Sequence, residues 1–156
     1  MQRLDRWVGI PLCVVCTAVL RLWRLFVPLR QRAPHKILFI ELSEMGSAML
    51  AHSTLVHLQR RYPGCELYFL IFTRNSESVS ILSLIPPQRI ITISDENLFL
   101  FALTAFGALI KIWRARIDTA IDGELFSRCT ALLTFLSGAG NRVGFYRFSD
   151  EGLYRG

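Results

Sequence analysis

The stretch that decides the fold spans residues 36–70 and reads KILFIELSEMGSAMLAHSTLVHLQRRYPGCELYFL. Its first six residues form a β-branched and aromatic run that is typical of a buried strand. After a loop over residues 42–47, apolar side chains recur at helical spacing until Pro-Gly at 63–64. These side chains are Ala48, Ala51, Leu55, Leu58 and Tyr62. Because a second apolar run, Glu66–Phe72, follows, the stretch predicts a strand-helix-strand unit.

The same alternation continues along the chain. The predicted elements are a helix over 76–84, a strand over 89–93, a helix from Ser94 to about Arg114, a strand Thr119–Asp122, a helix over 127–136 and a strand over 142–145. Ser94 is the predicted N-cap of the long helix, with Asp95 and Glu96 in its first turn. This alternation predicts an α/β fold, an open, doubly wound parallel sheet of the Rossmann-like kind.

Polar side chains follow each predicted strand. They are Ser43 and Glu44, Thr73 and Arg74, Ser94, Asp122 and Glu124, and Tyr146 and Arg147. In open parallel sheets, ligands bind beyond the carboxyl ends of the strands. We therefore expect a functional site at this edge, although loops are also polar simply because they face water.

Composition restricts the class of protein. The chain has 156 residues, of which 52% are hydrophobic, and a mean hydropathy of +0.37, values that exclude a disordered tail. The net charge of +6 is concentrated at the start, because residues 1–34 carry six Arg and one Asp. The nearly balanced remainder argues against a nucleic-acid-binding domain, so no nucleic acid partner is expected.

Residues 1–34 are predicted to associate with a membrane. Residues 7–20 hold no charge, but as a helix they would span only about 21 Å of a ~30 Å hydrocarbon core. The flanking arginines, with Trp7 and Trp23, suit a segment that lies in an anionic leaflet. A cleaved signal peptide and a helix that packs on the domain are the alternatives. Residues 35–156 form the predicted folded domain.

The predicted long helix is unusually apolar, because residues 98–110 (LFLFALTAFGALI) hold no charge on any face. The simplest interpretation is a fully covered core helix. The alternative is a surface that faces a membrane or a missing second domain. Thirteen residues are too few to cross a bilayer.

Neither disulfides nor metal are expected from the sequence. Cys13 and Cys16 lie in an apolar run, and Cys65 and Cys129 stand singly, a pattern that fits a reducing compartment better than a disulfide framework. The two histidines of the first helix, at positions 52 and 57, are five residues apart and do not share a helical face.

Residues 36–70 resemble the opening of the family 9 glycosyltransferases, the lipopolysaccharide heptosyltransferase type. There a strand leads into a Ser-x-Met-Gly or Ser-x-Leu-Gly loop, a helix with an Arg-rich end, a proline and the second strand. The stretch DTAIDGELFSRCTALLTFLSGAGNRVGF, residues 118–145, is similar to that family's Asp-x-x-Ile-Asp strand, helix and Gly-x-x-x-Arg-Val-Gly-Phe entry. The resemblance covers about residues 36–145.

The resemblance implies a GT-B architecture, in which an N-terminal Rossmann-like domain binds the acceptor and a C-terminal domain binds a nucleotide-diphospho-sugar. It implies transfer of a sugar, with inversion, to a lipopolysaccharide or other cell-envelope glycan at the cytoplasmic face of the bacterial inner membrane. Neither a cofactor nor a metal is expected. The resemblance also implies that residues 35–156 are the acceptor-side domain. We expect this domain to be cut off before the donor-binding domain and to be inactive alone.

The resemblance also raises a problem for catalysis. Family members commonly place the presumed base, an Asp, directly after the loop Gly46, where this chain has Ser47. A serine hydroxyl has too high a pKa to act as a base at neutral pH, so Glu44 is the first replacement candidate, followed by Asp122 and Glu124. Alternatively, Glu44 is a solvated loop charge, Asp122 braces its loop, and Ser47 is a helix N-cap.

The remaining candidates bind substrate. The loop residues Ser43, Gly46 and Ser47 can receive a polar ligand on their amides and hydroxyls. Forked hydrogen bonds from arginine suit phosphate or carboxylate groups of an acceptor, and the candidates are Arg128, Arg142 and Arg147. Surface solvation is the plain alternative.

Two other functions compete with transfer. A non-catalytic, membrane-tethered binding or scaffold domain would keep the fold without the base. A small Rossmann oxidoreductase is disfavoured, because the first loop has one glycine and the second predicted strand runs into Thr73 and Arg74 without an acidic residue.

Overall fold

The computed structural model describes residues 33–42, 45–81, 83–124 and 128–144. Its elements are β1 (Lys36–Ile40), α1 (Met45–Arg61), β2 (Glu66–Phe72), α2 (Ser76–Ile81), β3 (Ile90–Ile93), α3 (Leu98–Ala115), β4 (Thr119–Asp122), α4 (Arg128–Leu136) and β5 (Asn141–Val143). Short 3₁₀ turns precede α2 and β3. The apolar segment predicted over residues 7–20 lies outside the described residues.

The five strands form one parallel sheet in the order β3-β2-β1-β4-β5. Ile40, at the end of the central strand, lies opposite Leu70 of β2 and Asp122 of β4. The strand order reverses direction between β1 and β4, which makes that gap the topological switch point of the sheet. The predicted α/β fold with an open parallel sheet is confirmed.

Helices cover both faces of the sheet, as the doubly wound prediction requires. On the α1 face, α1 and α2 cover the side chains Ile37, Phe39, Leu67, Phe69 and Ile71. On the α3 face, α3 and α4 cover Leu38, Ile40, Leu70, Ile91, Ile93 and Ala120. Burial on both faces explains why the strands are continuous apolar runs, without the polar alternation of a half-exposed sheet.

Helix α3 begins three residues later than the sequence predicted. The N-cap is Asn97, whose side-chain oxygen accepts a hydrogen bond from the Leu100 amide at 2.8 Å. Ser94 is therefore not the cap, and Asp95 lies before the helix. Both side chains have other partners: the Ser94 hydroxyl accepts from the Glu96 amide at 3.4 Å, and Asp95 pairs with Arg74 at 2.9 Å.

Helix α1 begins at Met45, earlier than the predicted loop over residues 42–47 allowed. Gly46 and Ser47 therefore lie in the first turn of the helix, and Ser47 is not its N-cap. The predicted inner face of the helix is correct where it is described, since Ala51 and Leu55 are buried on the α1 face.

The expectation that the apolar helix is fully covered is wrong. Its inner side is buried through Ala105, Ala108, Leu109 and Ile112, but Phe99 is 76% exposed. By length and composition α3 is the one helix in the described part of the chain that could cross a membrane, yet soluble proteins contain core helices that pass the same test. Here it connects two parallel strands of one sheet and packs along that sheet.

Candidate functional site

The candidate site lies where the carboxyl ends of β1 and β4 meet, at the topological switch point. Ile40 and Asp122 are register partners there, and the amide of Gly123 donates to the Ile40 carbonyl oxygen at 2.9 Å. After these residues the two segments lead to different helices, Glu41 towards α1 and Gly123 towards α4. Doubly wound sheets bind ligands at such a switch point.

The backbone of Leu42 is held from both sides. Its amide donates to a Glu124 carboxylate oxygen at 2.9 Å, and its carbonyl oxygen accepts from the buried Asn75 side-chain amide at 3.4 Å. Leu42 is the last described residue before the loop that carries Ser43 and Glu44. The start of that loop is therefore fixed to both neighbouring strand ends of the sheet.

Asp122 is buried, with 8% of its surface exposed. Burial of this carboxyl raises its pKa to about 6; hydrogen bonds from the Glu124 amide (3.1 Å) and the Thr130 side chain oppose the rise, and the Glu124 charge adds to it. A carboxylate with such a pKa is ionised at neutral pH and still basic enough for proton transfer. The same hydrogen bonds brace the β4–α4 loop, as the alternative interpretation of Asp122 expected.

Gly123 is required by close approach. A Cβ atom at this position would lie 2.7 Å from the Phe39 ring and 2.8 Å from a Glu41 carboxylate oxygen, too close for any side chain. The Phe39 ring is itself fixed, because it stacks on Phe69 with centroids 5.5 Å apart. The glycine thus lets β1 and β4 deliver two acidic side chains to one small region.

Glu41 is the acidic residue that the sequence analysis missed. It is 5% exposed, which is rare for a glutamate, and it directly follows the central strand. The one signal in the sequence is its place at the end of an otherwise apolar run, a place that also suits the last residue of a strand. Asn75 was also missed, and nothing in its sequence neighbourhood marks it.

The structure brings two of the three candidate bases together, Asp122 and Glu124. The third, Glu44, lies outside the described residues, as do Ser43 and Arg147. Two helices follow the loops at the switch point. Gly46 and Ser47 lie in the first turn of α1, and Arg128 is the first residue of α4.

Arg142 lies elsewhere. It pairs in register with Ala120, before the carboxyl end of β4, and its guanidinium lies 5.4 Å from the centroid of the Phe135 ring. The structure therefore places this arginine within the sheet and against α4. It does not lie at the carboxyl ends of β1 and β4, where the acidic residues of the candidate site are.

The carboxyl ends of β2 and β3 are polar, as predicted, but their charges are paired. Arg74 contacts Asp95 at 2.9 Å and lies 5.7 Å from the centroid of the Phe72 ring. Within the described ranges, no group of three or more His, Cys, Asp or Glu side chains is arranged to hold a metal ion.

Sequence comparisons identify no relative: no family model and no curated protein matches the chain. Solved structures do match. A family 9 glycosyltransferase from Veillonella parvula DSM 2008 superposes with a TM-score of 0.63 at 16% identity, over 76% of this chain and 34% of that one. E. coli heptosyltransferase WaaC with ADP gives a TM-score of 0.55 at 18% identity, over 70% of this chain and 34% of that one.

A second structure of E. coli WaaC, with ADP-2-deoxy-2-fluoro heptose, gives a TM-score of 0.51 at 11% identity, over 73% of this chain and 44% of that one. The chain thus spans less than half the length of each of these structures. At such identities the likeness concerns the fold, and it agrees with the resemblance of residues 36–145. The chain has a Rossmann-like α/β fold similar to that of part of the family 9 heptosyltransferases.

Proposed function

We propose that this chain is the acceptor-side domain of an inverting, family 9-like glycosyltransferase. The enzyme transfers a sugar from a nucleotide-diphospho-sugar to a lipopolysaccharide or other cell-envelope glycan. The acceptor hydroxyl attacks the anomeric carbon, the bond from that carbon to the diphosphate oxygen breaks, and the proton passes to a protein base. No cofactor takes part, and the nucleotide-sugar is a substrate.

One observation carries the proposal: an acidic crevice at the switch point of a sheet whose fold matches family 9 structures. Glu41 directly follows β1, Glu124 lies just after β4, and Asp122, the last residue of β4, combines burial with a pKa of about 6. Glycosyl transfer needs a group that accepts a proton near neutral pH, and the acidic residues at this edge offer such groups. Glu44 is the first candidate, and Asp122, by its pKa, is the second.

Glu44 is the proposed base, and Glu124 and Asp122 are positioning residues. Asp122 and Glu124 each accept a backbone amide, so each carboxylate has a structural task. Glu124 anchors Leu42, two residues before Glu44, and thereby sets where the loop begins. In this assignment Ser47, Arg128 and Arg147 contact the acceptor, whereas Arg142, which lies against Phe135, does not.

The test uses the complete gene product that contains this chain and measures nucleotide diphosphate release. Glu44→Gln removes the proton acceptor but keeps the shape, so we expect kcat to fall by about 10²–10⁴-fold with KM nearly unchanged. Asp122→Asn is the matched variant at the second candidate. A Glu44→Gln enzyme with normal kcat, beside an inactive Asp122→Asn enzyme, would transfer the role of base to Asp122.

The positioning role of Glu124 has its own control. Glu124→Gln keeps an oxygen that can accept from the Leu42 amide, whereas Glu124→Ala does not. We expect Ala to lower kcat by about 10–100-fold and Gln to restore most of the rate. Equal losses in the two variants would show that the charge itself is needed, which contradicts a purely positioning role.

The proposal extends to location and partners. Residues 1–34 hold the enzyme at the cytoplasmic face of the bacterial inner membrane, and a C-terminal domain supplies most of the donor site. Residues 35–156 alone release no nucleotide diphosphate. Fractionation with and without residues 1–34 tests the anchor: the shortened protein should sediment with membranes clearly less, and equal sedimentation of the two forms would contradict it.

A second candidate, a non-catalytic membrane-tethered binding domain, is favoured by a specific observation. Both described candidate bases are engaged with backbone amides, and Ser47 replaces the family's usual Asp. This candidate predicts no nucleotide diphosphate release from the complete gene product, whichever nucleotide-sugar is offered. Release above the uncatalysed rate rejects it.

A further inference from the structure

Helix α3 carries a continuous apolar surface that faces away from the sheet. Phe99, Leu103 and Phe106 follow one another at spacings of four and three residues, and Trp113 lies on the same side of the helix seven residues, or two turns, further on. All four side chains are exposed, and we call them the α3 stripe. Exposures in the stripe run from 49% at Trp113 to 76% at Phe99. Single exposed apolar side chains are ordinary, but four aligned on one helix mark an interaction surface.

The apolar surface extends past the stripe at both ends. Leu98, the first residue of α3, is 71% exposed, and at the other end the Trp113 indole N–H donates to the Leu136 carbonyl oxygen at 2.9 Å. Leu136, on α4, is itself 37% exposed. The apolar surface is thus about 21 Å long between Phe99 and Trp113, at 1.5 Å per helical residue.

Basic groups gather at one end of the stripe. Lys111, Arg114 and Arg116 are exposed at or just beyond the last turns of α3. The Lys36 ammonium donates to the carbonyl oxygen of Ala115 at 3.0 Å, so the chain enters the domain beside this same end. Residues 1–34, which carry six arginines, therefore join the described domain near this end, where Asp118 and Glu66 also contact His35 and Lys36.

We infer that the α3 stripe is a docking surface for an anionic lipid bilayer. Phe99, Leu103 and Phe106 enter the interface between headgroups and acyl chains, and Trp113 lies at headgroup depth. Lys111 and Arg114 contact lipid phosphates. Apolar and aromatic side chains beside a basic cluster form the pattern by which a helix lies on an anionic leaflet.

The bilayer is favoured over other occupants by charge. If residues 1–32 folded back over the stripe, their arginines would lie against the exposed Lys111, Arg114 and Arg116, where like charges repel. An anionic surface attracts both basic groups at once. Because α3 is a crossover helix with a buried inner side, it lies along the bilayer surface and does not cross it.

Docking in this way would also orient the candidate site. Helix α3 begins just after the carboxyl end of β3, at the same sheet edge as Glu41 and Asp122. Leu98 and Phe99 therefore place that edge next to the lipid headgroups. This consequence, access to a lipid-linked acceptor, rests on the proposed function, whereas the docking surface does not.

The experiment uses the complete 156-residue chain with Trp7→Phe and Trp23→Phe, which leaves Trp113 as its one tryptophan. Vesicles contain phosphatidylglycerol and phosphatidylcholine with brominated acyl chains, which quench tryptophan only at close range. We expect Trp113 fluorescence to fall by about half on binding. Vesicles of brominated phosphatidylcholine alone should quench much less at the same lipid concentration.

Variants separate the stripe from residues 1–34. Phe99→Glu with Phe106→Glu should weaken vesicle binding by about tenfold and abolish the quenching of Trp113. Thr54→Glu with His57→Glu is the matched control, because it adds the same charges to exposed positions of α1. That control should bind and quench like the parent.

The basic end has a matched control as well. Lys111→Glu with Arg114→Glu should lower affinity for anionic vesicles about tenfold or more. Arg60→Glu with Arg61→Glu makes the same charge change at the exposed end of α1 and should have a clearly smaller effect.

Several results would overturn the inference. In one, the chain floats with vesicles through residues 1–34 while Trp113 stays unquenched and the Phe99→Glu/Phe106→Glu variant binds normally. In another, Trp113 is shielded from a soluble quencher without lipid, which would mean that residues 1–32 or a second copy covers the stripe. Sedimentation equilibrium distinguishes those two occupants. None of these results depends on nucleotide diphosphate release.

Discussion

Helices α1 and α3 cover opposite faces of the same sheet and are nearly equal in length, with 17 and 18 residues. The inner side of each helix packs on the sheet, since Leu55 of α1 and Ile112 of α3 are both fully buried. Their exposed sides differ over the side chains that the structure describes. Helix α1 exposes Ser53, Thr54, His57, Gln59, Arg60 and Arg61, whereas α3 exposes the stripe.

The difference shows which features the fold itself requires. A crossover helix needs one apolar side to pack on the sheet, and α1 meets that need with an ordinary polar exterior. Apolar side chains on the outside of α3 contribute little to folding and cost solubility in water. The stripe is therefore explained by a contact outside the described domain, and the following experiments test that division between inner and outer sides.

The largest effects should come from the inner sides. Leu55→Ala and Ile112→Ala each remove a buried aliphatic side chain, so each should lower the free energy of unfolding by about 2–5 kcal/mol. Urea denaturation followed by circular dichroism measures both. A loss below about 1 kcal/mol for Ile112→Ala alone would mean that α3 is not packed as firmly as α1.

A smaller effect should appear at the α3 face near the site. Burial raises the pKa of Asp122 from 3.8 to about 6, so the folded protein holds this proton more tightly than the unfolded chain does. The free energy of unfolding should therefore fall as pH rises from about 4 to 6, by on the order of 2–3 kcal/mol from this group. Above that window the loss is complete.

Asp122→Asn removes this titration, so its stability relative to the parent should rise across the same pH window. Urea denaturation at pH 4, 5, 6 and 7 measures the difference, with Glu77→Gln on the exposed surface of α2 as control. A difference that stays constant with pH would show that Asp122 is more hydrated than its burial indicates.

Two glycines should respond in opposite directions. Gly123→Ala forces a methyl group against Phe39 and Glu41 and should cost about 1–3 kcal/mol. Gly107→Ala meets nothing within 4 Å on α3 and should stabilise by about 0.5–1 kcal/mol through helix propensity. Thermal unfolding compares them, and a stabilising Gly123→Ala would contradict the close approach of β1 and β4.

The smallest effect on stability should come from the stripe. Phe106→Lys on the outer side of α3 should change the free energy of unfolding by no more than about 0.5 kcal/mol. The same change should raise the highest concentration at which the chain remains monomeric, and light scattering would measure this limit. A loss as large as that of Ile112→Ala would show that the stripe packs within the folded chain.

Much of the fold could be predicted because its signals are local. The strands Glu66–Phe72 and Thr119–Asp122 were located correctly, since each is an apolar run with turn residues nearby. The start of α3 was not, because Ser94, Asp95 and Asn97 all suit a helix start. The Ser94 hydroxyl accepts from the Glu96 amide, and Asp95 pairs with Arg74, which lies before α2, so Asn97 is the cap.

The candidate site was predicted in part for the same reason. Asp122 and Glu124 were expected at the sheet edge from their position after a strand. Glu41 and Gly123 were not, because their roles depend on the parallel register that sets β1 beside β4. Register between strands some 80 residues apart is a property of the assembled sheet.

The sequence by itself determined the α/β alternation, the parallel sheet with its polar edge and the unusual apolarity of α3, because local periodicity encodes each of these features. Only the tertiary structure decided which apolar side chains of α3 are covered and which form the stripe. It alone also brought Glu41, Asp122 and Glu124 to one switch point. The physical reason is that burial and proximity depend on which elements pack together, and no local pattern records that choice.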